Sequence, residues 1–312
     1  MKKIIYIFGL ILMTIALNSC QDWLDTESES VFTEESTFSN LEFASKAVFG
    51  IYQVFTLGDN YGYYYPFTKI DSDIEFTFSA NEGAKNQLAH YAGTPGSKKL
   101  EEMWSSFYLA IERANLCIDN LPKSPIWEGT NSKEAKKLYG EAVTLRALAY
   151  YELIHTWGDV PFTVTSTQAG EEYNLPKTDR DEIYEYLIED LKNVEDYVPW
   201  LSETKTIERV NKGFVKGLRA RMAMAYAGYS LRNGSLETRR GRNSKEYYEI
   251  ARQECKELME SGKHQMNPDF ENIFRTIHEY SQDLTYGEIL FEIAYGRTSA
   301  SIFASRVGMS FW

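Results

Sequence analysis

Sulfur, proline and histidine are all scarce in this chain. It has three cysteines, eight prolines and four histidines in 312 residues. Three cysteines cannot staple a disulfide scaffold of this size. His90, His155, His264 and His278 stand apart, without metal-ligand spacing, and neither a Gly-x-Ser-x-Gly elbow nor a phosphate-binding loop is present. Nothing in the pattern therefore asks for a cofactor or a metal. Positive charge is short too, with 33 Lys and Arg against 45 Asp and Glu and a net charge of −12. Such a chain lacks the electrostatic footprint for phosphate backbones, so no nucleic acid partner is expected. Long apolar runs are also missing. The longest, Ile4 to Leu17, falls short of the roughly 20 residues a spanning helix needs.

That short run has a purpose of its own. Lys2 and Lys3 precede it, and Leu17-Asn18-Ser19-Cys20 follows, which is the layout of a secretory signal. A cysteine directly after the small residue resembles a bacterial lipobox, in which Cys20 is acylated and becomes the new N-terminus. Several acyl chains anchor stably where one is marginal, so the membrane is contacted through an N-terminal lipid. Residues 1–19 read as the lipoprotein signal peptide, 20–37 as lipidated terminus and spacer, and 38–312 as one folded domain. Losing two lysines and no acid with the signal takes the net charge from −12 to −14.

The folded part announces helices. Ser39 to Glu42 fits a capping box, with Phe38 and Phe43 as a staple. Ala44, Val48, Ile51 and Phe55 then follow at helical spacing, and Gly58 is placed to close the end. A second stripe runs from Leu100 through Trp104, Phe107, Ile111, Ala114 and Ile118 to Leu121, and ends at Pro122. The third helix spans about Lys133 to Thr156 with Leu138, Ala142, Leu145, Ala149 and Leu153 inward. Thr178 is placed to cap the fourth, with Ile183, Leu187, Leu191, Val194 and Val198. The fifth follows Asn211 with Phe214, Leu218, Met222, Ala225 and Tyr229. The sixth follows Ser244 with Tyr247, Ala251, Cys255 and Leu258, and Gly262 stands at its end. Cys117 and Cys255 both fall on apolar stripes and read as buried free thiols, although an oxidising compartment would permit a disulfide.

The expected fold is all-α: tetratricopeptide-like helical hairpins forming a right-handed superhelix, with long irregular insertions. At Trp157-Gly158-Asp159-Val160-Pro161 the third helix must stop. Gly158 can take a left-handed conformation, Asp159 can accept N–H groups of the turn, and Pro161 prevents resumption. The corner reads as structural.

It also carries a resemblance. Leu145-Arg146-Ala147-Leu148-Ala149-Tyr150-Tyr151 with the Trp157-to-Pro161 corner closely resembles the SusD/RagB family. Cys20 to Asp25, Trp104 to Asn115, Lys212-Gly213, Ser261 to His264 and Glu288 to Phe291 match in order. The resemblance implies a nutrient-capturing lipoprotein of the outer membrane that faces the cell exterior. Its partners would be an oligosaccharide or similar ligand and a SusC-like TonB-dependent transporter, with no catalysis. It also implies a less regular C-terminal region, which this chain, ending at Trp312, is expected to lack. The repeats alone would equally permit a membrane-anchored periplasmic scaffold for protein partners. A hydrolase would need two carboxylates across a glycosidic bond, and 45 acidic residues supply such pairs by chance.

Ligand contacts are expected in the long segment between the first two helices, Gly58 to Lys98. Tyr61, Tyr63, Tyr64 and Tyr65 suit stacking on sugar faces while their hydroxyls bond. Ser72-Asp73 resembles the family's acidic element, which adds Asp73. The alternative is that such rings as Tyr63, Tyr65 and Phe67 pack the loop on the bundle. Asp71, Asp73, Glu75 and Glu82 mimic an EF-hand loop, but Phe76 occupies the position that demands glycine.

Overall fold

The structure, a computed structural model, describes residues 33–63, 65–69, 87, 89–90, 92–170 and 174–295. Among these the helices are α1 Glu34–Phe38, α2 Leu41–Phe55, α3 Lys98–Asn120, α4 Ser132–Trp157 and α5 Arg180–Val194. They continue with α6 Leu201–Thr204, α7 Lys212–Ala227, α8 Ser244–Glu260 and α9 Phe270–His278. The strands are β1 Val160–Pro161, paired antiparallel with β2 Lys177–Thr178, and β3 Tyr229–Leu231, paired antiparallel with β4 Thr238–Arg240. The molecule is a stack of tetratricopeptide-like hairpins, as expected. Successive helices α2 with α3, α4 with α5 and α7 with α8 pack in pairs, and α3 on α4 and α5 on α7 join the pairs.

The central element is α4. Every residue from Gly140 to Tyr150 is buried, which explains the alanines of the Leu145–Tyr151 stretch: small side chains let α3, α5 and α2 close in on several faces. The sequence-read stripes of α2, α4 and α5 are all buried. At the far end Lys216 of α7 bonds Glu195, Glu254 and Glu257, while Arg219 also bonds Glu254. Burying Glu254 at 2 % exposure is tolerable only because two cations satisfy it.

Several boundaries differ from the sequence reading. The expected spacer contains α1, capped by a Thr33–Ser36 capping box, so the folded part begins before residue 38. Asn40, not Ser39, caps α2, by accepting from the Phe43 N–H. That helix ends at Phe55, before Gly58. Asp179, not Thr178, caps α5, and Thr178 sits in β2. Tyr229 lies on the β3 ribbon, 68 % exposed, because α7 stops at Ala227. Cys117 is a buried free thiol, its pKa pushed up to about 12 by burial. Cys255 is exposed, since the ion network draws Glu254 to the inner face of α8 and turns its neighbour outward. The Asn211 cap and the positive φ of Gly262 agree with expectation.

Candidate functional site

One groove among the described residues follows directly from the corner after α4. Gly158 has φ +81, and a Cβ there would lie 2.1 Å from Arg180 Nη2. Only glycine fits. Asp159 Oδ1 accepts from the Arg180 backbone N–H and Nε, each at 3.3 Å, so it ties the corner to α5 rather than to its own turn. The chain then reverses, and residues 161–167 run back as a strap along α3.

An irregular strap against a core has backbone groups that no helix or sheet satisfies, so side chains must do it. Arg146, 2 % exposed, donates from Nη1 to Val164 O and to Asn115 Oδ1, both at 2.8 Å, and from Nη2 to Asp190 Oδ2 at 2.6 Å. Asn115 Nδ2 reaches Thr165 O at 2.9 Å. The Tyr150 hydroxyl donates to Thr163 O at 2.8 Å and accepts from Thr163 N at 2.9 Å. Tyr108 donates to Pro161 O, Asp119 accepts from Ser166 N and Oγ, and Glu112 accepts from Thr167 N and Oγ1. The two stretches Leu145–Tyr151 and Ile111–Asn115 thus act together to pin the strap.

Between strap and helix lies a groove of about 970 Å³, near the upper end of the roughly 300–1,000 Å³ typical of ligand pockets. Trp104, Tyr108, Leu109 and Glu112 of α3 form one wall, and Phe162, Thr163, Thr165 and Leu175 the other. Behind it the rings are linked edge to face. Trp104 meets Trp157 at 5.4 Å, Tyr108 meets Tyr150 at 6.4 Å, Tyr150 meets Phe162 at 5.0 Å, and Phe162 meets Tyr186 at 5.3 Å. Such contacts hold each ring at a fixed tilt. Half-buried aromatics beside threonine hydroxyls and one carboxylate can stack on an uncharged polar ring and bond its hydroxyls. Burial pushes the Tyr108 phenol well above its ordinary pKa, so that hydroxyl stays a donor.

A second groove, of about 790 Å³, runs past Tyr61, Glu152, Phe214, Arg221, Phe291 and Tyr295. Here the expected tyrosines separate. Glu152 accepts from both the Tyr61 and the Tyr65 hydroxyl. Tyr65 is 1 % exposed and meets Phe107 edge to face at 5.0 Å; it offers no face to a ligand, and its expected contact gives way to a packing role. Tyr61 is half-buried, its ring 5.1 Å from that of Tyr65 and its tip on Glu152. Tyr63 is half-buried as well. Tyr64, Asp73 and Cys20 lie outside the described residues, as do Asp71 and Ser72. The sequence reading missed Tyr108, Glu112 and Phe162 as groove residues. The signal was available, because Tyr108 and Glu112 lie four and eight residues after Trp104 on one flank of the helix. Among the described residues no three His, Cys, Asp or Glu side chains gather to hold a metal ion, and no helix is long and apolar enough to cross a membrane.

Three further motif pieces, at Lys212-Gly213, Ser261 to His264 and Glu288, also prove to be contacts, while Cys20 to Asp25 lies outside the described residues. A Cβ on Gly213 would lie 2.2 Å from His264 Nε2, and His264 Nδ1 bonds Gly287 O at 2.7 Å. The opening of α7, the turn after α8 and the segment before Glu288 thus lock together. A family model described as starch-binding associating with outer membrane, SusD-like, matches residues 22–224, more than half of the chain. The chain belongs to the SusD-like family. A SusD-like protein of Formosa agariphila is 26 % identical over 236 residues, covering 75 % of this chain and 45 % of that one. A SusD-like protein of Bacteroides ovatus is 25 % identical over 198 residues, covering 63 % and 34 %. The chain therefore spans about half the length, or less, of these curated relatives. Among solved structures, a SusD homolog from Bacteroides thetaiotaomicron superposes with a TM-score of 0.73 at 22 % identity, covering 90 % of this chain and 51 % of that one. A protein crystallised with a xylogluco-oligosaccharide superposes at 0.63 with 18 % identity, covering 86 % and 50 %. A surface glycan-binding protein from Bacteroides uniformis does so at 0.60 with 23 % identity, covering 77 % and 50 %. These likenesses establish the fold.

Proposed function

We propose that this SusD-like chain captures glycans or similar nutrients at the cell exterior and passes them, unaltered, to a SusC-like TonB-dependent transporter of the outer membrane. Residues 1–19 direct export, Cys20 carries the lipid, and the stretch up to α1 is the tether. The family description, and the xylogluco-oligosaccharide crystallised with a structural neighbour, support a carbohydrate ligand. The observation that carries the reading is the aromatic groove between α3 and the pinned strap. Tyr108, Trp104 and Phe162 give it fixed ring faces, and Thr163, Thr165 and Glu112 give it polar partners. Stacking against pre-set rings lowers the ordering cost of binding a sugar. Tyr61, which lines the Glu152 groove, marks a second contact region, and Tyr63, Tyr64 and Asp73 are proposed as further contacts on the chemistry of their side chains alone.

The proposal is tested by titrating a panel of defined oligosaccharides into the unacylated Cys20→Ala protein, followed by chromatography of the sugars. Heat of binding from at least one member, with every sugar recovered at its original length, is the expected result. Shortened products, or no binding to any oligosaccharide, would contradict it.

A further inference from the structure

Side chains of the strap groove are arranged to accept hydrogen bonds rather than to donate them. A hydroxyl has one proton to give and two lone pairs to receive with. Tyr108 gives its proton to Pro161 O at 2.6 Å, Thr163 gives its own to Thr165 O at 3.1 Å, and Thr167 donates to Glu112 Oε2 at 3.0 Å. These three hydroxyls, all lining the groove, therefore meet a ligand with lone pairs only. Glu112 does the same. Its two oxygens take one bond each from Thr167, from N at 2.9 Å and from Oγ1, and an ionised carboxylate can only accept again. Rotatable hydroxyls remain on Ser105 and Thr165, both exposed.

The charges around the groove point the same way. Glu112, half-buried, is the one charged side chain among the described residues that line it. Asp119, two turns further along α3, adds a second carboxylate, bonded to Ser166. From Val160 to Pro176 the sequence holds Glu171 and Glu172 but no Lys, Arg or His. The neighbouring cations are occupied or turned away. Arg146, behind the strap, is 2 % exposed and paired with Asp190 at 2.6 Å. Arg113 points to α2, where Nη1 donates to Gly50 O and Gln53 Oε1. Lys98 and Lys99, at the start of α3, pair with Glu102, and Arg180 pairs with Asp159. Lys177, opposite Pro161 in the β1–β2 register, is exposed, where water and salt screen it.

We propose that Glu112 makes the strap groove a specificity filter, which holds neutral, hydroxyl-rich glycans and turns away acidic ones such as uronates and sulfated sugars. The inference rests on the capture reading and narrows its ligand class. A neutral sugar supplies O–H donors to each of these acceptors while its C–H faces stack on the Trp104 and Phe162 rings. A carboxylate or sulfate in the same place brings lone pairs to lone pairs and a like charge to Glu112. No lining cation offsets either, so the discrimination comes from repulsion as much as from attraction.

The test measures calorimetric affinities of the unacylated Cys20→Ala protein for cello-, malto-, manno- and galactohexaose. Each is paired with a counterpart whose sugar units are oxidised at C6 to carboxylates. At least one neutral member should bind, and its oxidised counterpart should bind about tenfold or more weakly, from the size of like-charge repulsion at a protein surface. Glu112→Gln keeps an acceptor for Thr167 and should bring the two affinities closer by tightening the oxidised member. Glu101→Gln removes one charge from the same helix outside the groove lining and should leave the ratio unchanged, which separates the local carboxylate from the overall charge of −12. Equal or tighter binding of the oxidised member by the parent protein would overturn the filter and leave capture standing. A ratio unmoved by Glu112→Gln, or moved as far by Glu101→Gln, would remove Glu112 as its cause. Binding of neither series would overturn the capture reading, and this inference with it.

Discussion

Gly158 shows how much one residue can settle. Its φ of +81 and the Arg180 guanidinium against its α-carbon leave no room for a side chain. Gly158→Ala should lower stability by about 1–3 kcal/mol, the usual cost of a forced backbone region. Thermal melting reads this directly, and ligand affinity below the new melting point should match the parent protein. A normal melting curve with lost affinity would make the corner a binding element. Glu257 illustrates the same scale in charge. Hydrogen bonds from the Lys216 ammonium and from Gln253 hold its carboxyl at about 2, below the ordinary 4.5. A carboxylate whose folded value is depressed contributes stability above its unfolded value and loses it as pH falls towards the folded one. The loss should therefore run between about pH 4.5 and 2. In Glu257→Gln the stability curve should be flatter over that window; identical slopes would show that the bond contributes nothing in solution. These positions differ in legibility. The glycine of the corner could be read from sequence because a helix end followed by proline demands it. Glu257 could not, because its partner is 41 residues away on another helix.

At the scale of elements, the strap is held by residues that the sequence displays only as a recurring pattern. Asn115 connects α3, Arg146 and Thr165 O. Asn115→Ala leaves the Thr165 carbonyl and a buried Arg146 guanidinium N–H without that partner, at a cost of about 1–3 kcal/mol. Its amides should report this locally: hydrogen exchange should quicken across Thr163 to Thr167 and stay unchanged in α7 and α8. Uniform quickening would mean that the strap is not a separate unit. The helices were legible because a 3.6-residue period survives in one sequence. Ala44, Val48, Ile51 and Phe55 needed no partner to be recognised. The strap has no period, and its partners are backbone carbonyls, so its stitching was invisible. Cys255 failed for a related reason: spacing placed it inward, but the paired charges of Lys216 and Glu254 outweigh one thiol in setting the face of α8.

At the scale of the whole molecule, the family and the helical stack were readable from six short stretches in the right order, while the groove they build was not. The tyrosine loop drew attention by composition, yet Tyr65 packs into the core and the better aromatic wall comes from α3 and the strap. The contrast between these two places provides the decisive measurement. Phe162→Ala and Tyr65→Ala should each be assayed for melting temperature and for affinity towards the tightest oligosaccharide found. Removing the Phe162 ring should weaken binding about three- to twelve-fold, from roughly 0.5–1.5 kcal/mol per aromatic pair. Tyr65→Ala should instead lose about 3–5 kcal/mol of stability, as large-to-small core changes do, and bind normally while folded. If Phe162→Ala binds as tightly as the parent while Tyr65→Ala, still folded, does not, then the groove along the strap is not where this protein holds its ligand.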